Sequence, residues 1–139
     1  MRIAYAQFSP VLGDLAANRE KIVRLAERAE GVDLLVLPEL SNSGYNFVSR
    51  EQARDLSEEV GSGPFQETLR EICAARRLHI VSGVCERDGD RLYNSAVLVG
   101  PGGHIGLYRK IHLFLNEKDI FQPGDLGFPV FEVPLPPSP

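Results

Sequence analysis

Apolar and polar residues alternate along this chain in two rhythms, and the switches between them mark its elements. From Arg2 to Phe8, Ile3, Tyr5 and Gln7 take turns with Ala4, Ala6 and Phe8, the period of a strand, and Ser9-Pro10 ends it. Leu15, Ile22, Leu25, Ala26 and Ala29 then recur at helical spacing, with Arg19, Glu20, Lys21, Arg24, Glu27 and Arg28 on the opposite face. Asp14 is placed to cap that helix and Gly31 to stop it. Val32 to Leu37 is a short aliphatic run, read as a strand buried on both faces. Strand, helix and strand make a βαβ unit with two parallel neighbours.

The second half changes rhythm. Ser41 to Ser62 is polar and irregular, with room for one short helix around Arg50–Leu56. Pro64 suits a first helical position, and Phe65, Leu69, Ile72 and Cys73 form the buried stripe of a helix reaching about Arg77. His79–Glu86 and Arg91–Val99 read as strands joined at Asp88-Gly89. A turn at Gly100-Pro101-Gly102-Gly103 leads to a strand over His104–Tyr108. A loop follows over Leu113–Gly124, then a last short strand over Val130–Val133. The pattern predicts an α/β fold: a mixed sheet, parallel at first and then an antiparallel meander, with helices on one face. It forms one domain over 1–133, and the proline-rich stretch 134–139 can build neither helix nor central strand.

Composition narrows the classes. A hydrophobic fraction of 43% with 24% charged residues is that of an ordinary soluble domain. A net charge of -4 argues against nucleic acid or an acidic membrane as partner. No run is long and apolar enough for a membrane span, and Met1-Arg2 leads straight into a strand where a signal peptide would stand. Two cysteines, Cys73 and Cys85, fit a reducing compartment better than a disulfide framework. The expectation is a cytoplasmic protein.

Three polar residues lie at or just past the end of a predicted strand: Glu39, Lys110 and, in the following loop, Glu117. Pro38 stops the Val32–Leu37 strand, so Glu39 sits where open α/β sheets hold ligands, partly desolvated and the better base for it. A lysine at the mouth of a sheet is a point charge able to hold a developing oxyanion. Spacing alone leaves a plainer reading open, with Glu39 capping a turn and Lys110 in a solvated basic cluster with Arg109 and His112.

Longer stretches decide between these readings. Arg2 to Pro10, then Gly13-Asp14 with Asn18, resembles the opening of the nitrilase superfamily of carbon–nitrogen hydrolases. So do Leu35 to Leu40 with Gly44-Tyr45, Tyr93-Asn94-Ser95-Ala96, Tyr108 to Leu113, and Glu117 followed by Phe121, Pro123, Gly124 and Asp125. The resemblance spans nearly all of 1–133, in the family's order and spacing. It implies half to most of a four-layer αββα sandwich, usually built into dimers. The implied chemistry is hydrolysis of a small non-peptide amide, carbamoyl compound or nitrile by a Glu-Lys-Cys triad, with neither metal nor organic cofactor. Glu39 resembles the general base, Lys110 the oxyanion-stabilising residue and Glu117 the second glutamate that orients substrate and supports the lysine. Tyr45 and Phe121 fit two roles, walls of a substrate pocket or buried anchors of their loops.

One departure matters. In the family the nucleophilic cysteine follows the lysine block by a few dozen residues, and none stands in that place before Pro139. Cys73 and Cys85 fall on a helix stripe and inside a strand, so both read as inert core thiols. This stretch therefore resembles the amino-terminal part of a hydrolase, or else a non-catalytic fragment or interaction module of the same fold. Strands and core faces left open by a missing half predict oligomerisation. A metal-dependent phosphoesterase would also use a strand-end Glu, as a Mg²⁺ ligand, but needs further strand-end ligands that the sequence does not supply. The acidic pair Glu58-Glu59 reads as a solvated helix end.

Overall fold

Five strands cross a single mixed sheet in the order in which the sequence writes them. They are β1 (Ile3–Tyr5), β2 (Leu34–Val36), β3 (His79–Asp88), β4 (Arg91–Gly100) and β5 (Gly103–Arg109). The computed structural model describes residues 1–133; the proline-rich tail expected over 134–139 lies outside the described residues. β1–β2 and β2–β3 pair in parallel, and β3–β4–β5 form the antiparallel meander. The parallel strands are shorter than the alternation predicted, because only three residues of each find a ladder partner. Beyond Tyr5, Ala6 N–H still donates to Val36 O (2.9 Å) before the chain turns away.

Helix α1 (Leu15–Glu27) starts where expected: Asp14 accepts a hydrogen bond from Ala17 N–H (2.9 Å). Helix α3 (Pro64–Arg76) opens on its proline and closes at Arg77, which takes a left-handed conformation (φ 55°). Their apolar stripes meet one face of the sheet. Ile22, Ala26, Phe65, Leu69 and Cys73 pack on Leu35, Ile80, Val84, Val97 and Val99 in one buried cluster. Because side chains alternate along a strand, Leu35, Ile80 and Val97 all face this helical layer.

The other face differs from the expectation in two ways. The helices do not all lie on one side. Two short ones, α2 (Arg50–Asp55) and α4 (Glu117–Ile120), pack against Cys85 and Leu92, which point the opposite way from Val84 and Val97. A single turn such as α4 carries no periodicity to read, so the sequence presented it as loop. Nor is β2 buried on both faces, since Leu34 and Val36 are only half-buried while Ile3 and Tyr5 (78% exposed) lie open beside them. Among the described residues the fold is thus one sheet with one full helical layer and a partly bare apolar face.

The strand expected over Val130–Val133 does not form. Val130 is 93% exposed, whereas the Phe131 ring presses on Gly106 of β5, where an added Cβ would come within 2.5 Å of it. Phe128 stacks on Tyr108 (6.1 Å between ring centres). The alternation is real, but it sorts side chains between the bare face and solvent without a ladder. Glu58 is also not solvated. It is buried, and its carboxylate accepts from Phe65 N–H (2.9 Å) in the first turn of α3.

Candidate active site

Pro38 sends the chain over β3 immediately after β2, and Glu39 emerges on the bare face of the sheet. Lys110 follows β5 directly and is kept in register by its own N–H, which donates to Asn94 O (2.8 Å). Glu117 opens the single-turn helix α4, and its Oε2 accepts from Phe114 N–H (2.6 Å). Two segments 71 residues apart, the β2 end and the stretch from Lys110 to Glu117, thus deliver three charged groups to one place. Lys110 Nζ donates to Glu39 Oε1 (2.8 Å) and to Glu117 Oε1 (3.0 Å).

Two further side chains complete the cluster. Asn94 Nδ2 donates to Glu39 Oε1 (2.6 Å) and Glu117 Oε1 (2.8 Å), so one amide holds both carboxylates. Tyr45 Oη donates to Glu117 Oε1 (2.9 Å). Asn94 stands in one of the blocks that carry the family resemblance, yet on pattern alone it is just another strand residue. Only the side-by-side placement of β4 and β5 reveals its role.

The two carboxylates are not equivalent. Glu117 is 5% exposed and accepts four hydrogen bonds, three at Oε1 and one at Oε2. Burial would raise its pKa, but the donors from Phe114 N–H, Lys110, Tyr45 and Asn94 win and hold it below the usual carboxylate range. Glu39 has a side chain 45% exposed, and its Oε2 accepts no hydrogen bond among the described residues. That leaves one carboxylate saturated and the other with an oxygen free to take a proton. Burial alone would lower the Lys110 pKa, but its bonds to Glu39 and Glu117 hold it above its ordinary value. Tyr45 is pushed up to about 12, first by burial and then by Glu117, and so remains a donor.

The surroundings brace this cluster from below. Asn18, fully buried on α1, accepts from Val11 N–H (2.7 Å) and donates to Val11 O (2.8 Å) and Asn42 O (2.9 Å). Gly13 N–H donates to Ser43 O (3.0 Å), and at Gly44 an added Cβ would fall 2.7 Å from Leu12 Cα. The Gly13-Asp14 and Asn18 block therefore fixes the loop that carries Glu39. On the helical side of the sheet, Arg109 is buried between Glu86, Asp88 and Asp125 and lies 3.9 Å over the Tyr93 ring. It is not part of a solvated basic cluster.

An open cleft of about 370 Å³ spreads over the bare face beside Glu39, Asn94 and Lys110, floored by Val81, Gly83, Ala96 and Tyr108. A smaller cavity of about 60 Å³ is lined by Tyr45, Phe47, Glu117 and Phe121. Phe121 itself is buried edge-on against Phe47 (5.9 Å), while Tyr45 is partly open. Cys73 and Cys85 are fully buried, and burial pushes both thiols up to about 12. Neither supplies a thiolate near neutral pH. An ammonium bridges the carboxylates, and among the described residues no group of three His, Cys, Asp or Glu side chains is arranged to hold a metal ion. No helix among them is long and apolar enough to cross a membrane.

Comparison with known proteins bears on family and fold. The family described as carbon-nitrogen hydrolase matches residues 2–136. A nitrilase of Pyrococcus abyssi is 44% identical over 135 residues, covering 96% of this chain and 52% of the relative. An (R)-stereoselective amidase of a Pseudomonas species is 37% identical over 126 residues, covering 90% and 45%. A crystallised CN-hydrolase superfamily protein from Xanthomonas campestris superposes with a TM-score of 0.78 at 29% identity, covering 89% of this chain and 46% of that one. The chain spans about half the length of the relatives it matches. With the resembling sequence blocks, the mixed sheet and the family match all in agreement, the chain belongs to the carbon-nitrogen hydrolase family.

Proposed function

We propose that the protein hydrolyses a non-peptide C–N bond in a small amide or carbamoyl compound, or a nitrile, through a covalent thioester. Residues 1–133 form the part of the domain that carries base and oxyanion stabiliser, and the rest of the fold brings the nucleophilic cysteine and covers the bare sheet face. The observation that carries this reading is the asymmetry of the carboxylates: Glu39, its side chain 45% exposed, keeps an unengaged oxygen beside Lys110, while Glu117 is saturated.

For an amide or carbamoyl substrate, Glu39 Oε2 takes the thiol proton as the sulfur attacks the carbonyl carbon. The carbonyl π pair moves to oxygen, and the Lys110 ammonium stabilises that charge. The C–N bond then breaks, and the departing nitrogen receives the proton from Glu39. Water, deprotonated by Glu39, attacks the thioester; the acid leaves and the proton returns to sulfur. Glu117 holds the Lys110 ammonium and, with Tyr45 and Phe121, orients the substrate. The buried free thiols suit a reducing compartment. The proposal places the protein in the cytoplasm as a homo-oligomer, acting on a small molecule without cofactor, nucleic acid or membrane.

The test uses the native gene product with short aliphatic amides, N-carbamoyl amino acids and nitriles, following ammonia release. Glu39→Gln and Lys110→Met should each lower kcat by about 10³-fold or more, since each removes a group acting in the transition state. Turnover within tenfold of wild type in either variant overturns the reading.

A further inference from the structure

We propose that Gly83 is a positioning residue for Glu39: the space left by its missing side chain is the seat on which the Pro38-Glu39-Leu40 backbone rests. This rests on the reading of Glu39 as the base. The evidence is steric. An added Cβ at Gly83 would lie 2.5 Å from Glu39 Cα, 2.5 Å from Leu40 N and 2.6 Å from Pro38 O. All three are backbone atoms, which cannot swing aside as the tip of a side chain can. Gly83 is not among the residues at positive φ. Alanine would therefore suit its backbone conformation, and only the close approach calls for glycine. A glycine inside a strand otherwise weakens it, so its place in the middle of β3 needs such a reason.

The crossing segment is also fastened so that it cannot lift away. Gly83 N–H donates to Pro38 O (3.0 Å) and Gly83 O accepts from Ser41 N–H (3.0 Å), so Gly83 brackets the turn on both sides. Ser41 Oγ donates to the same Pro38 O (2.6 Å). Leu40 holds a left-handed conformation (φ 46°) that a leucine adopts only under constraint, with its side chain fully buried beside Cys85, Leu92 and Phe121. With both ends held, a methyl group at 83 displaces the residue between them. That residue is Glu39, whose Oε1 must stay within hydrogen-bond reach of Lys110 and Asn94.

The test follows Lys110 itself, whose ammonium faces Glu39 and Glu117, the latter also bound by Asn94 and Tyr45. In the native gene product, the Lys110 side chain is titrated by NMR in wild type, Glu39→Gln, Gly83→Ala and Gly102→Ala. Gly102 has open space around it and serves as the neutral control. Glu39→Gln should lower the Lys110 pKa, Gly83→Ala should lower it in the same direction, and Gly102→Ala should leave it unchanged. On any amide that the wild type hydrolyses, Gly83→Ala should lower kcat by about 10–100-fold with KM within about threefold, the signature of a misplaced group. A folded Gly83→Ala with the wild-type titration overturns the proposal, as does a Glu39→Gln that leaves Lys110 unmoved. If Gly83→Ala does not fold, Ser41→Ala decides: it frees the Pro38 carbonyl from one side and should lower the Lys110 pKa by a smaller amount, and no shift overturns the seat. Full ammonia release by Glu39→Gln would defeat the hydrolase reading alone, because the titration stands without it.

Discussion

Arg109 and Lys110 are adjacent in sequence at the end of β5, but they face opposite sides of the sheet and meet opposite surroundings. On the helical side the Arg109 guanidinium is shared among Glu86, Asp88 and Asp125, and Ser95 Oγ donates to Glu86 (2.5 Å). Glu86 is 2% exposed, and the bonds that Arg109 donates to it lead the contacts that hold Arg109 well above its ordinary pKa despite burial. A planar fork among several carboxylates is a saturated, fixed arrangement. On the bare side Lys110 is a single point charge, 28% exposed, and one of its two carboxylates keeps a free oxygen. Both clusters are networks of opposite charges. Asp88 Oδ1, like Glu39 Oε2, accepts no hydrogen bond among the described residues, so the difference lies in burial: the Arg109–Glu86 pair is closed off from water and the Lys110–Glu39 pair is open to it.

The contrast breaks most readily at the charges themselves. Arg109→Met should cost about 3–5 kcal/mol in urea denaturation, because it strands the buried Glu86. Lys110→Met should cost less, about 1–3 kcal/mol, because the buried Glu117 keeps its bonds from Tyr45, Asn94 and Phe114 N–H and Glu39 is open to water. Equal losses would mean that the two clusters do the same work.

The acid limb of stability sharpens the contrast next. Glu117 has a folded pKa below its unfolded value, so its contribution is present above about pH 4.3 and is lost as pH falls through the lower folded value. Glu117→Gln should therefore cost about 1–3 kcal/mol near neutrality and progressively less in acid. A gap that stays constant with pH would show that the carboxylate charge is not what Lys110, Asn94 and Tyr45 hold.

The smallest effect belongs to Glu58, a carboxylate buried without the donors that Glu117 enjoys. Burial raises its pKa, with Phe65 N–H opposing only in part. Its charge thus costs stability above the unfolded pKa, and the cost disappears as pH falls below that value. Glu58→Gln, which keeps an acceptor for α3, should stabilise by less than about 1 kcal/mol at neutral pH and by nothing near pH 3. Destabilisation at neutrality would mean that the anion, not the oxygen, caps the helix.

These differences also explain what could be read from the sequence. The period of the apolar residues located α1, α3 and the β3–β4 hairpin, because each buries a long stripe against one partner. The blocks that carry the family resemblance singled out Glu39, Lys110 and Glu117, and the structure brings both carboxylates within 3.0 Å of the Lys110 ammonium. What stayed hidden depended on partners distant in sequence. Asn94 shares its alternation with ordinary strand residues, Arg109 looks like any surface arginine, and α4 is too short for a period. Val130–Val133 had the opposite fault: a strand-like pattern with no neighbouring strand to complete it.

The bracing of the Glu39 loop by Asn18 has a consequence for time rather than place. Loops are normally the parts of a protein that open first and most often. Here Ser41 N–H is held by β3, Gly13 N–H by Ser43, and Val11 N–H by a side chain that is itself fully buried. In deuterated water these three amides should exchange on the slow schedule of the sheet. On the proposed mechanism, Glu39 would then need no closing movement to reach its working position, and whatever limits the pace of turnover would have to act elsewhere.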